Sequence, residues 1–360
     1  MKTSVFPSRY VQGPGALMRF SEEAGRFGTR ALALVDANLP ENVLDGLGMT
    51  GGCTVTTQIV NPACTPAAVE DATETICQSG ADIVAGLGGG KVIDLGRAAA
   101  DVLRIPFVSV PTVAASDAPC SALAVIYDEE DRVLKDHFVW RNPDLVLVDS
   151  DVICAAPARF FSAGIGDALA TFYECDACIN SGAGNLCGGT GTQLAYSAAR
   201  LCLEIITEFG EQAVEDCRNN IVTDAFERVL EANILLSGIG FESGGVGAAH
   251  AFHNGISELH EVHHMLHGEK VAFGVMAELT LNDYSDKDIE KVARFNMSVG
   301  LPVSLDELGI TSVDASIPTI ATRAIRPGEI IHNEPMTVTQ DLAEAALRRA
   351  QAIGRSQLQA

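Results

Sequence analysis

The chain has few basic residues for its length: 24 lysines and arginines stand against 47 aspartates and glutamates in 360 residues. The formal net charge of −23 argues against nucleic acid and against an anionic membrane surface as partners. An acidic chain can still bind an anionic nucleotide through backbone amides and a helix N-terminus. The shortage of positive charge therefore excludes two classes of partner and leaves nucleotide cofactors open.

Long apolar runs are missing as well. The first residues, MKTSVFPSRYVQGPGAL, lack the apolar core of a signal peptide, and no stretch reaches the length of a membrane span. We therefore expect a cytoplasmic protein whose ten cysteines are reduced thiols. Cys175 and Cys178 form a C-x-x-C pair with no second pair, and we expect both to pack within a helix.

The chain contains no internal repeat or low-complexity segment, and its length favours two domains. In the first half, the predicted strands RALALV, CTVTTQIV, DIVAGL, PFVSVP and LVLV alternate with predicted helices, which indicates a parallel sheet with crossover helices. We interpret residues 10–15 as a loop, SALAVIY as a further strand and residues 128–136 as a polar insert. Long helical patterns follow Asp149. We therefore expect an α/β domain of residues 1–156 and an all-α domain of residues 157–360.

Six of the eight histidines fall between Phe241 and Lys270. Imidazole is the commonest metal ligand and the usual acid–base group near neutral pH, so this cluster indicates a metal site or proton chemistry. A local argument would pair His263 with His267, which would lie four residues apart on one helical face.

The glycine-rich turn GLGGGK, residues 86–91, follows a predicted strand and opens a predicted helix. Glycines let the backbone approach a ligand closely, and a helix N-terminus favours phosphate. The turn differs from the G-x-G-x-x-G fingerprint at Lys91 and from a P-loop at Val92. We interpret it as a pyrophosphate-binding turn, with a tight turn that binds no ligand as the alternative.

Two further features mark the ends of predicted strands, where ligands of open α/β sheets collect. Asp36 ends the strand RALALV, and a carboxylate there would accept hydrogen bonds from a ribose and favour NAD over NADP. The loop PTVAASDAP, residues 111–119, follows another strand, which makes Thr112 and Asp117 candidate ligand contacts.

Five motifs occur in order along nearly the whole chain: GGGKVIDLGRA, PTVAASDAPCSALAVIY, APARFFSAGIGDALATFYE, GFESGGVGAAHAFHNG and HHMLHGEKVAFG. Together they resemble the glycerol dehydrogenases of the iron-activated alcohol dehydrogenase superfamily. The resemblance implies a dehydroquinate synthase-like fold, in which a cleft between a Rossmann-like α/β domain and an all-α domain holds NAD and one zinc ion per subunit. It also implies oxidation of glycerol or a related vicinal diol to dihydroxyacetone, a small polyol as the partner, and a homo-oligomer, an octamer.

The resemblance assigns roles to particular residues. The zinc ligands fall on Asp167, His250 and His267, and the walls of the polyol site on Asp117 and Phe241. The positions that match nucleotide contacts are Asp36, Gly88, Gly89, Gly90, Lys91, Asp94, Thr112, Ser121, Leu123 and Tyr127. We add two catalytic roles as hypotheses: Asp117 hydrogen-bonds a terminal hydroxyl of the diol, and His253 relays a proton towards solvent.

Other readings of the same residues remain open. Asp167 is expected at the start of a helix, where it could be a plain N-cap. Rival functions are another alcohol or 1,2-propanediol dehydrogenase, a glycerol-1-phosphate dehydrogenase, a dehydroquinate synthase-like lyase and a non-catalytic nucleotide-binding protein. The segment 241–270 contains one basic residue, Lys270, and the segment 111–127 contains none, which favours an uncharged substrate. Ala170 and Thr171 stand where iron-type relatives add a histidine, which favours zinc.

Overall fold

The structure of the chain, a computed structural model, describes residues 1–45, 47, 51–130 and 132–359. The chain folds into two compact units. The α/β unit comprises Phe6–Pro157 and Asp216–Thr223. The helical unit comprises Met1–Val5, Ala158–Glu215 and Asp224–Ala360. Each unit is described by itself below.

The α/β unit contains a six-stranded parallel sheet with the order β1-β8-β5-β4-β2-β3, and a separate antiparallel hairpin of β6 and β7. The predicted parallel sheet with crossover helices is thus confirmed. The strands are β1 Tyr10–Gly13, β2 Arg30–Asp36, β3 Thr54–Val60, β4 Ile83–Gly88, β5 Phe107–Pro111, β6 Leu123–Tyr127, β7 Val133–Phe138 and β8 Leu145–Asp149. The helices are α1 Phe20–Ala24, α2 Glu41–Asp45, α3 Pro66–Ser79, α4 Gly90–Leu103 and α5 Ser150–Cys154.

The central strands of this sheet are apolar runs because both of their faces are covered. Strands β4, β5 and β8 are buried along their whole length. One face packs on a cluster that includes Leu17 and Phe20, and the other packs on residues of α3 and α4 such as Ile76 and Ile93. Continuous apolar strands of this kind are typical of parallel sheets with helices on both sides.

The structure corrects two of the predicted elements. Residues 10–13 form strand β1, which pairs with β8, and not a loop. The predicted polar insert contains strand β7, whose side chains are mostly exposed, so that no apolar alternation marks it. The predicted strand SALAVIY is present as β6 and pairs with β7 in the separate hairpin. The error at residues 10–13 concerns pairing, which local sequence does not specify.

The helical unit confirms the predicted change of character after the sheet. Its helices are α6 Ala158–Ser181, α7 Gln193–Arg218 (whose last residues belong to the α/β unit), α8 Asp224–Glu231, α9 Ser237–Gly244, α10 Ala248–Ser257, α11 His267–Leu281, α12 Asp286–Ser298, α13 Val313–Ala324 and α14 Gln340–Gln357. None of the helices in the described residues is long and apolar enough to cross a membrane. No disulfide joins any of the ten cysteines, all of which lie in the described residues, and Cys175 and Cys178 are buried on α6 as predicted.

Candidate functional site

The carboxyl edge of the parallel sheet carries the first group of predicted site residues. Strand β2 lies between β3 and β4, so the order of the strands reverses at the boundary of β2 and β4. Asp36 ends β2 and Gly88 ends β4, on the two sides of this boundary. Nucleotides of open α/β sheets bind where the strand order reverses, outside the carboxyl ends of the strands. The topology therefore places Asp36 and the glycine-rich turn at the expected nucleotide position.

The glycines of the turn serve two different purposes. A Cβ on Gly86 would lie 2.8 Å from the backbone oxygen of Val92, and a Cβ on Gly88 would lie 2.9 Å from Cβ of Asp36. These two positions need glycine because α4 and the neighbouring strand β2 pack closely against β4. A Cβ on Gly89 would meet its first neighbour at 3.8 Å, and one on Gly90 would meet nothing within 4 Å. The space beside Gly89 and Gly90 at the N-terminus of α4, where no side chain caps the helix, suits a phosphate group.

The remaining predicted nucleotide contacts lie on α4, directly after β5, and in residues 121–127, which include β6. The Lys91 ammonium group lies 5.1 Å from the centre of the Tyr127 ring, a cation–π distance, so these two predicted residues meet. Thr112 is buried directly after β5, and its N–H donates to the Gly88 carbonyl over 3.1 Å. Ser121 is buried, and its hydroxyl donates to the Ala118 carbonyl over 3.2 Å.

Asp94 has a supporting role within the unit. Its carboxylate accepts from Arg97 over 2.7 Å and from the Val125 N–H over 3.1 Å. Arg97 in turn donates to the carbonyl oxygens of Ala118 and Leu123. Burial raises the pKa of Asp94 to about 6, against the opposing charge of Arg97. The pair thus ties α4 to the segment 118–125, which carries Ser121 and Leu123, and Asp117 is buried just before that segment.

In the helical unit, three helices bring Asp167, His250 and His267 together. Asp167 Oδ1 lies 3.3 Å from His250 Nε2 and 3.0 Å from His267 Nε2. One ligand atom from each residue lies within 4.8 Å of the other two. Asp167 comes from α6, His250 from α10 and His267 from the first position of α11. His250 and His267 therefore contact the same carboxylate, although they lie 83 and 100 residues from Asp167 along the chain.

Two expectations about these residues are wrong. Asp167 lies within α6, a 24-residue helix that begins at Ala158, so it is not an N-cap. The local pairing of His263 with His267 also fails, because His263 is exposed and lies before α11, in a different element from His267.

Close contact between α6 and α11 lets their ligands meet. A Cβ on Gly268 would lie 1.8 Å from the carbonyl oxygen of Ala163, and one on Gly166 would lie 2.4 Å from the carbonyl oxygen of Gly268. Real Cβ contacts are never this short, so both positions require glycine at this crossing. Each glycine adjoins a predicted ligand, Asp167 or His267, so the two helices are in close contact at the site itself.

Glu174, which sequence reasoning missed, fixes the His250 ring. It is fully buried on α6, and its two oxygens contact the His250 backbone N–H over 2.8 Å and ring Nδ1 over 2.7 Å. A proton on Nδ1 leaves the Nε2 lone pair free on the side of Asp167, an arrangement that metal-ligating histidines share. Glu174 follows Asp167 by seven residues, which is two turns on one face of a helix. This spacing is the sequence signal that could have identified Glu174.

His253 makes the corresponding contact with His267. His267 Nδ1 lies 3.1 Å from His253 Nε2, and His253 Nδ1 lies 3.2 Å from Asn254 Oδ1. Burial, with the neighbouring charges of His267 and Lys270, holds the pKa of His253 well below its usual value. A neutral His253 that donates from Nδ1 to Asn254 accepts at Nε2 from His267 Nδ1–H, which leaves His267 Nε2 free to face Asp167. Phe241, the predicted apolar wall, is buried on α9.

The electrostatics of the three-residue site favour a bound cation. Burial acts to raise the pKa of Asp167, but His267 and His250 outweigh it and hold that pKa well below its usual value. Burial acts to lower the pKa of His250, and Glu174 and Asp167 outweigh it and raise that pKa. Two atoms that bind one tetrahedral zinc ion at about 2.1 Å lie roughly 3.4 Å apart. The separations of 3.0 and 3.3 Å, with a carboxylate and two imidazoles as donors, fit such an ion.

Comparisons with known proteins show the family of the chain. The model of the iron-containing alcohol dehydrogenase family matches residues 7–150. A glycerol dehydrogenase of Thermotoga maritima is 45% identical over 98% of both chains, and a glycolaldehyde reductase of Halobacterium salinarum is 40% identical over 98% of both. The solved glycerol dehydrogenase of Schizosaccharomyces pombe is 32% identical, with a TM-score of 0.93 over all of this chain and 92% of that one. The chain therefore belongs to the iron-containing alcohol dehydrogenases, a metal-binding family of oxidoreductases, in the branch that contains the glycerol dehydrogenases.

Proposed function

We propose that the chain oxidises glycerol or a related vicinal diol to the hydroxyketone, with NAD as the hydride acceptor and one zinc ion per subunit. The convergence of Asp167 Oδ1 with Nε2 of His250 and His267 carries the proposal. Relatives named glycerol dehydrogenase that are 39–45% identical over nearly the whole chain support it. The cytoplasm as its location and a homo-oligomer as its assembly belong to the same proposal.

Asp167, His250 and His267 would hold the zinc ion, and three protein ligands leave a further position open for the substrate. When bound, zinc supplies a Lewis acid that acidifies a substrate hydroxyl, and NAD supplies the acceptor for the hydride. Glu174 and His253 keep the two imidazoles in the tautomers that present Nε2. Iron-type relatives would add a third histidine as a fourth ligand, and the alanine and threonine at positions 170 and 171 therefore favour zinc over iron.

The other residues would bind the nucleotide and the diol and remove the proton. Gly89 and Gly90 would face the pyrophosphate at the N-terminus of α4, and Asp36 would accept hydrogen bonds from the ribose. Asp117 would accept a hydrogen bond from the neighbouring hydroxyl of the diol, and Phe241 would form an apolar wall. His253 would move the proton, since its Nε2 also lies 3.3 Å from the Ser257 hydroxyl.

The reverse reaction on a smaller substrate is a second candidate. The relative from Halobacterium salinarum that is 40% identical is named a glycolaldehyde reductase. Reduction of a small hydroxyaldehyde would use the same ligands and the same nucleotide site, because hydride transfer is reversible.

The test is NADH formation on glycerol, 1,2-propanediol and ethanol, and NADH consumption on dihydroxyacetone and glycolaldehyde. We expect the diols to exceed ethanol in kcat/KM by about tenfold or more, since a hydrogen bond to a charged group contributes roughly 1.5–3 kcal/mol. Chelation should remove the activity, and zinc should restore it better than ferrous iron. A folded, zinc-loaded protein that turns over none of these substrates contradicts the proposal.

The choice between NAD and NADP gives a separate prediction about Asp36. Asp36→Ala should raise KM for NAD by about tenfold through the lost hydrogen bonds. It should also reduce the preference for NAD over NADP, because the carboxylate no longer repels the 2′-phosphate of NADP. Initial rates with both cofactors measure this. Asp71→Ala, which removes the same charge from the exposed face of α3, is the matched control and should behave as wild type. An unchanged ratio of NAD to NADP rates would contradict the role of Asp36.

A further inference from the structure

The first turn of α10, which carries His250, is closed by residues from outside the helix. Its N-cap is Gly247, which has no side chain to accept the free N–H groups of the first turn. The Ala248 N–H donates instead to Glu334 Oε1 over 2.9 Å, and the His250 N–H donates to Glu174 over 2.8 Å. Two carboxylates thus do the work that a Ser, Thr or Asp N-cap usually does.

Glu334 is held firmly in this place. It is 4% exposed, and its other oxygen accepts from Asn282 Nδ2 over 2.8 Å. The preceding residue, Asn333, donates from Nδ2 to the Val246 carbonyl over 2.7 Å, one residue before the Gly247 cap. A Cβ on Gly247 would lie 2.8 Å from Glu334 Oε1, so glycine there makes room for the carboxylate. Asn333 and Glu334 therefore form hydrogen bonds to the backbone on both sides of Gly247, at the start of α10.

Burying a carboxylate here is unfavourable for the fold alone. Burial raises the pKa of Glu334 to about 7, although its bonds with Asn282 and Ala248 act to lower it. Glu278 is buried beside it, and burial and the charges of Glu334 and Glu174 raise the pKa of Glu278 well above its usual value. The Ala249 backbone N–H acts in the opposite direction and does not outweigh these effects. A serine or aspartate at position 247 would cap the helix without gathering three buried carboxyl groups.

We infer that Glu334 is a positioning residue for His250: by accepting the Ala248 N–H it fixes the first turn of α10 and so holds the ring where Nε2 meets Asp167. Glu174 orients the ring directly, and Glu334 fixes the backbone from which the ring extends. The inference rests on the proposed zinc site. It adds a residue that is not a zinc ligand and that nevertheless affects zinc affinity.

The test is the zinc affinity of the metal-free protein, measured by competition with a chromophoric chelator, together with thermal unfolding. Glu334→Ala should weaken zinc binding by about tenfold, the lower end of what residues behind metal ligands usually cost. Glu334→Gln, whose amide oxygen can still accept from Ala248, should stay within about threefold of wild type. Glu334→Asp is one methylene shorter and cannot reach both Ala248 and Asn282, so its zinc affinity should lie between those of the alanine and glutamine variants. It replaces the alanine variant in the test if that variant does not fold.

Ser285→Ala is the matched control, because it removes the side-chain N-cap of α12 in the same unit. We expect it to lower the unfolding temperature and leave zinc affinity unchanged. If Glu334→Ala and Glu334→Asp bind zinc as wild type does, Glu334 has a structural role alone and the inference is overturned. If the wild-type protein does not bind zinc, the proposed function fails first and takes the inference with it.

Discussion

Replacing the Asp167 carboxylate by an amide should abolish zinc binding and lower kcat/KM for glycerol by at least about 10³-fold, since the Lewis acid contributes several kcal/mol to the transition state. Asp167→Asn keeps the size of the side chain and removes its negative charge. The Nε2 atoms of His250 and His267 lie 3.3 and 3.0 Å from Oδ1 of this charged carboxylate. Without it, the two imidazoles and a divalent cation lose their shared counter-ion within a buried site. Zinc content and initial rates measure the two effects.

The control for Asp167→Asn comes from the same helix. Asp176 also lies on α6 and bonds to Asn180 and Tyr196, with no contact to the histidines. Asp176→Asn makes the same chemical change and should leave zinc content and rates near wild type. Retained zinc and activity in Asp167→Asn would show that the ligand set is wrong.

The strands and the helix around the glycine-rich turn were predicted correctly from the sequence, because their signals are local. A strand that ends at Asp36 and a strand that runs into Gly88 are each visible in a few residues. A strand, a glycine turn and a helix follow one another directly in the chain, so their geometry depends little on distant contacts. The start of α3 shows how short such a signal can be: Pro66 is its first residue, and the Thr65 hydroxyl accepts from the Ala68 N–H over 3.2 Å.

The position of Asp167 within its helix was predicted wrongly for a tertiary reason. Gly166 precedes it, and glycine weakens a helix interior, so the sequence pattern favours a helix that begins after this glycine. In the structure, Gly166 lies inside α6 because α11 crosses there, with the carbonyl oxygen of Gly268 in the space where a side chain would stand. A glycine required by a partner helix and a glycine that ends a helix look the same in one sequence.

The supporting carboxylates were missed for a related reason. Glu174 and Glu334 read as ordinary charged positions on helical or loop segments. Glu334 bonds to Ala248, 86 residues away in the chain. For Glu174 the seven-residue spacing from Asp167 is a local signal, whereas Glu334 is recognised as a buried acid only from the tertiary contacts around it.

The second large effect is expected at the crossing of α6 and α11. Gly268→Ala should destabilise the protein by about 3 kcal/mol or more, because overpacking a core typically costs 1–3 kcal/mol and here the new methyl meets rigid backbone. The methyl would stand 1.8 Å from the Ala163 carbonyl oxygen, so the helices must separate or α11 must shift. Either movement displaces His267, the neighbour of Gly268, from Asp167. Zinc affinity should therefore fall as well as the free energy of unfolding.

Gly184→Ala is the matched control, since its methyl would meet its first neighbour at 3.5 Å, an ordinary van der Waals contact, in the same unit. Denaturant unfolding of the metal-free proteins separates the packing cost from the loss of zinc, and chelator competition then measures zinc affinity where both variants are folded. A Gly268→Ala protein that is destabilised yet binds zinc as tightly as wild type would mean that His267 does not depend on the helix crossing. If Gly268→Ala loses both stability and zinc affinity while Gly184→Ala stays near wild type, the packing of α6 on α11 and the assembly of the metal site depend on the same glycine.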